Sequence, residues 1–112
     1  MADAPVGLTI VMVDVGQGDG FVVRAPDGQI HVVDAGHDGK GTLFMLPVIN
    51  GLQPTGYGFP VLSHFHADHV GGLDELLAAR PFQVALDRGD ANRGTTTTNT
   101  AYLAPLARAV SW

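Results

Sequence analysis

His64-Phe65-His66-Ala67-Asp68-His69, with the Gly71-Gly72 pair that follows, decides the reading of this chain. Three of the five histidines and one aspartate fall within those six residues. Imidazole nitrogen and carboxylate oxygen are preferred ligands of zinc and similar divalent ions. In extended backbone, residues i, i+2 and i+4 point to one side, so His64, His66 and Asp68 converge. His69 joins them if the chain turns after Asp68, and Gly71-Gly72 permits such a turn. A single histidine is ordinarily a surface or hydrogen-bonded residue, and His-x-His alone arises by chance. Four ligand types packed this tightly, between an apolar run and a Gly-Gly turn, point to metal binding by His64, His66, Asp68 and His69.

Working outward, residues 60 to 63 read as a short strand that delivers this loop. Residues 72 to 80 read as a helix, with Leu73, Leu76, Leu77 and Ala79 near one face and Pro81 ending it. Residues 82 to 86 read as another strand. Toward the N-terminus, residues 8 to 15, 21 to 24 and 30 to 34 are rich in β-branched residues and read as a β-meander. Gly16-Gln17-Gly18-Asp19-Gly20 and Pro26-Asp27-Gly28 supply its turns. A polar, Gly-rich loop covers 35 to 41. An apolar helical segment follows at 43 to 52, with Pro47 in its first turn. Gln53 to Phe59 is a Gly/Pro connection. Asp87 to Asn99 is a polar loop holding Thr95 to Thr98, and residues 100 to 111 form an Ala-rich helix weakened by Pro105. The order gives an α/β fold with a mixed sheet and no linker between domains.

His-x-His-x-Asp-His followed by Gly-Gly-Leu resembles the signature of the metallo-β-lactamase superfamily. Asp34-Ala35-Gly36 resembles the Asp-x-Gly motif that precedes the metal loop there. Asp14-Val15-Gly16-Gln17-Gly18-Asp19 is similar to the opening strand and turn of the β-lactamase-like domain of ComEC-type competence proteins. The resemblance covers residues 8 to 90 and implies the first half of an αββα sandwich, so residues 1–112 form the N-terminal portion of such a domain. It implies a metal-dependent hydrolase holding two Zn²⁺ ions, with Mn²⁺ or Fe as alternatives. His64 and His66 would serve the first ion, and Asp68 and His69 the second. A hydroxide bridging the ions would attack a phosphodiester, or another ester or amide, with Asp68 orienting it as the catalytic carboxylate. Asp34 would lie beneath the loop and accept a histidine N–H; equally, it caps the Gly-rich loop through its backbone. His37, beside the same motif, reaches the mouth of the site or is simply solvated.

The family pattern continues with a third histidine for the first ion, a bridging aspartate and a last histidine. No histidine follows His69 here, and Asp87 and Asp90 come too early. The first ion then has two ligands where a catalytic zinc normally has three. The chain therefore reads as part of a longer hydrolase, catalytically very weak by itself, with the inner sheet face left open to self-association. The alternative is a non-catalytic module that binds metal or a partner. His31 reads as a strand residue on the face opposite Asp34. Asp14 and Asp19 read as turn or hydrogen-bonding residues. The Gly-Gln-Gly turn lacks the Lys-Ser/Thr of a phosphate loop.

Composition is compatible with this. Hydrophobic residues make up 46% and charged residues 15%, so the chain has the means for a modest core. A net charge of −5 disfavours non-specific nucleic-acid binding, although metal ions supply local positive charge to a phosphodiester. The absence of cysteine removes disulfides and thiolate sites. With no apolar run of about 18 residues and no signal-like N-terminal pattern, the expectation is a cytoplasmic chain off the membrane.

Overall fold

β-Branched residues fill three N-terminal runs, and these form the antiparallel part of a sheet. The strands are β1 (Thr9–Met12), β2 (Gly20–Arg24) and β3 (Gln29–Ala35). The computed structural model describes residues 6–89. The expected Ala-rich helix at 100 to 111 and all but the start of the loop at 87 to 99 lie outside these residues. β1 pairs antiparallel with β2, and β2 with β3. The Asp27 carboxylate closes the β2–β3 hairpin by accepting the Gln29 N–H at 2.9 Å. β4 (Gly56–Val61) then lies parallel to β3, giving the order β1-β2-β3-β4.

A parallel neighbour requires a crossover. It is made by a π-helical turn, Gly41–Met45, running straight into α1 (Leu46–Gly51). Pro47 sits in the first turn of α1. Arg24, buried at the end of β2, ties the crossover down: its Nε donates to the Leu52 carbonyl at 2.9 Å. After β4 come α2 (Ala67–Val70) and α3 (Leu73–Ala79).

Strand alternation assigns the two sheet faces. Val22, Ile30 and Val32 point to one face and are fully buried with Met45, Ile49, Leu62, Leu73 and Leu76. On the other face Ile10 and Met12 are 61% and 72% exposed. His31 also lies there, stacked on Phe59 and accepting the Phe59 N–H at Nδ1.

The α/β expectation with a mixed sheet holds, while several boundaries move. β1 stops at Met12, because the Asp14 carboxylate accepts the Gly16 N–H and folds the chain into the Gly-rich turn. β4 starts at Gly56, inside the stretch read as a connection, because pairing with β3 overrides its Gly and Pro content. Residues 82 to 86 form no strand, only one parallel bridge from Val61 to Leu86. Gln83 N–H donates to Gly58 and Leu86 N–H to Pro60. Three residues on one side thus span two on the other, so no ladder register is kept. The metal loop is not extended throughout: Ala67–Val70 is helical, and its turn carries Asp68 and His69 back toward His64.

Candidate metal centre

Parallel pairing of β3 and β4 sets Val33 beside Val61, so both strands deliver their C-terminal ends to one place. Asp34 lies at the end of β3, 2% exposed, with φ 58°. That left-handed backbone is uncommon outside glycine and is best tolerated by Asn and Asp. Its carboxylate is fixed by the loop beyond β4. The Ser63 N–H donates to Asp34 Oδ1 at 2.8 Å, and the Ser63 hydroxyl donates to Oδ2 at 2.5 Å. His69 Nδ1 lies 2.9 Å from the same Oδ2.

The histidines gather above this carboxylate. The His64 ring centre is 4.0 Å from that of His69 and 4.6 Å from that of His66. His64 Nδ1 lies 2.9 Å from Ser63 Oγ. One ligand atom each from Asp34, His64 and His69 falls within 4.8 Å of the others, a spacing that one metal ion can span. Asp68 is half-buried, with Oδ1 3.7 Å from His69 Nε2. His66 is exposed at the rim beside His64. His37 is exposed, and its side chain is not among the converging ligand atoms.

Burial holds the His64 pKa below the usual histidine value; repulsion by His69 and His66 adds to this, and Asp34 and Asp68 oppose it. A neutral imidazole is the form that ligates metal.

The Gly-rich turn before β2 contributes neighbours that its sequence did not announce. Asp19 Oδ2 is 3.9 Å from His69 Nδ1, and Gln17 Nε2 donates to Asp68 Oδ2 at 3.5 Å. Gly18, at φ 101°, lies flat on the metal loop: a Cβ there would fall 1.7 Å from the Asp68 carbonyl oxygen. Gly71 and Gly72 serve close approach and not a left-handed turn. Gly71 has φ −55° and Gly72 φ −89°, yet a Cβ on Gly72 would meet the Ala35 carbonyl oxygen at 2.3 Å.

Asp38, Asp74 and Glu75 form a second acidic group. Glu75 there accepts the N–H groups of Gly39 and Thr42, which accounts for its place as a cap on the π-helical turn. Among the described residues, no helix is long and apolar enough to cross a membrane.

Hydroxyacylglutathione hydrolases of Xylella fastidiosa strains M12, M23 and Temecula1 are each 41% identical over 65 residues. That match takes in 54% of this chain and only 21% of the length of those curated relatives. The sequence profile of the metallo-beta-lactamase superfamily matches residues 13–100, most of the chain and all of the site. The chain belongs to the metallo-β-lactamase superfamily.

Proposed function

We propose that this chain carries the metal-binding part of a metal-dependent hydrolase that works with two zinc ions. The observation behind this reading is the convergence of His64 and His69 over the buried Asp34 carboxylate. The donor set fits the group: imidazoles and carboxylates suit zinc, with manganese or iron as alternatives. His64 and His66 would hold one ion, and Asp68 and His69 the other. A divalent ion bound there supplies Lewis acidity and lowers the pKa of water to about 7. The chain's own residues then have separate tasks. His64 stays neutral and available to ligate. Asp68, which accepts from Gln17, would orient a water for attack. Asp34 accepts hydrogen bonds from Ser63 and His69 and keeps the loop in shape.

For substrate we favour a phosphodiester, supported by the Asp14-to-Asp19 turn and its likeness to ComEC-type domains. A thioester is the second reading, supported by the hydroxyacylglutathione hydrolases among the relatives, whose name denotes cleavage of an acyl-glutathione. Turnover of a chromogenic phosphodiester and of an acyl-glutathione, each with Zn²⁺ or Mn²⁺, tests both. Slow, chelator-sensitive turnover that Asp68→Ala abolishes supports the hydrolase, and the preferred substrate separates the two readings. Metal uptake without turnover favours a non-catalytic binding module only if it persists in a chain that supplies the further family ligands.

A further inference from the structure

We infer that Ser63 is a positioning residue: its hydroxyl relays the Asp34 carboxylate to His64 and fixes which ring nitrogen of His64 faces a metal. The inference rests on the metal-centre reading for its purpose, and on hydrogen-bond valence for its geometry. A serine hydroxyl has one proton to give and two lone pairs. A carboxylate can only accept, and the Ser63 Oγ to Asp34 Oδ2 contact is 2.5 Å, in the range of a charge-assisted O–H···O⁻ bond. The Ser63 proton therefore goes to Asp34. Toward His64 Nδ1, 2.9 Å away, Oγ can then only accept. His64 must carry its proton on Nδ1, which leaves the Nε2 lone pair for an ion.

His69 reaches the same state without an intermediary, because its Nδ1 lies 2.9 Å from Asp34 Oδ2. One buried carboxylate thus sets two imidazoles, His69 directly and His64 through Ser63. Asp34 Oδ1 is meanwhile occupied by the Ser63 N–H. This accounts for a carboxylate 2% exposed whose bonds run to the loop that carries the histidines.

The test reads the tautomer first, in metal-free protein. Long-range ¹H–¹⁵N correlation spectra of the labelled chain at about pH 8, above the usual histidine range, distinguish Nδ1–H from Nε2–H. The wild type is expected to show Nδ1–H at both His64 and His69. Ser63→Ala should release His64 to Nε2–H and leave His69 unchanged, and Ser63→Thr should restore the wild-type pattern. Zinc titration should then give a 10–100-fold weaker affinity for Ser63→Ala, on the order usual for a residue that orients a ligand, with Ser63→Thr near wild type. His64 found as Nε2–H in the wild type, or unmoved in a folded Ser63→Ala, overturns the relay. If Ser63→Ala does not fold, the wild-type spectrum still overturns the relay should His64 carry Nε2–H, and Ser63→Cys, whose weak S–H donor fits the bond poorly, takes the place of the alanine variant. A wild type with both tautomers as stated but no zinc uptake supports the relay and contradicts the metal reading instead.

Discussion

At the end of β3 one carboxylate, with φ 58°, accepts bonds from an amide, a hydroxyl and an imidazole of the metal loop. Removing it leaves those donors without their partner at a partly buried place. Asp34→Ala is expected to lower stability by about 1–3 kcal/mol, measured by urea unfolding. Asp34→Asn, which tolerates the left-handed backbone, should cost less yet still weaken zinc binding, because an amide cannot accept on both sides. Gly18→Ala should be at least as damaging as Asp34→Ala to zinc uptake, since its Cβ has no room against Asp68. Zinc titration of that variant checks it; wild-type affinity would contradict the close packing. The approach of His64 and His69 was legible in the spacing of the loop, because these residue types carry ligand chemistry, while the converging set adds Asp34 and leaves His66 at the rim. Ser63 and Gln17 were not. A hydroxyl and an amide announce nothing alone, and their partners lie 29 and 51 residues away in sequence.

Helical period was easier to read than sheet pairing. α3 follows the expected 72 to 80 segment closely because Leu73 and Leu76 recur on one buried face. Leu76→Ala should cost about 2–5 kcal/mol, and Leu77→Ala, only partly buried, clearly less. The start of β4 was obscured by Gly56 and Gly58, whose loop character is overridden by pairing with β3. α3 also carries a titratable weakness. Asp74 Oδ1 is buried without a hydrogen-bond partner. Burial first, then the charges of Glu75 and Asp38, raise its pKa above the usual 3.8. The folded state then favours the protonated form. The resulting loss of stability sets in as pH rises through 3.8 toward the folded pKa, and it persists at neutrality. Asp74→Asn should therefore stabilise the chain at pH 7, with the gain vanishing at pH values below 3.8. Unfolding curves at both ends of that range check the sign.

The sheet as a whole is covered on one face by α1, α2 and α3 and presents Ile10, Met12 and Phe59 to solvent on the other. Exposed apolar side chains on one sheet face favour association. Light scattering after size-exclusion chromatography should show species larger than a monomer, and Ile10→Lys/Met12→Lys should shift them toward monomer. A wild type that is monomeric at high concentration would contradict this. The α/β order and the open face followed from the alternation of apolar residues in β1 to β3. The place of Asp34 beneath the loop was expected only from the resemblance of Asp34-Ala35-Gly36 to a family motif, and His69 meets it there at 2.9 Å. Alternation alone does not give it, because it depends on the parallel β3–β4 register. That convergence is the centre of the account, and zinc titration calorimetry of the metal-free chain tests it most directly. The wild type should take up zinc, and His64→Ala/His66→Ala should show no measurable uptake at the same concentrations. Equal uptake by both would contradict the assignment of the metal centre to this loop.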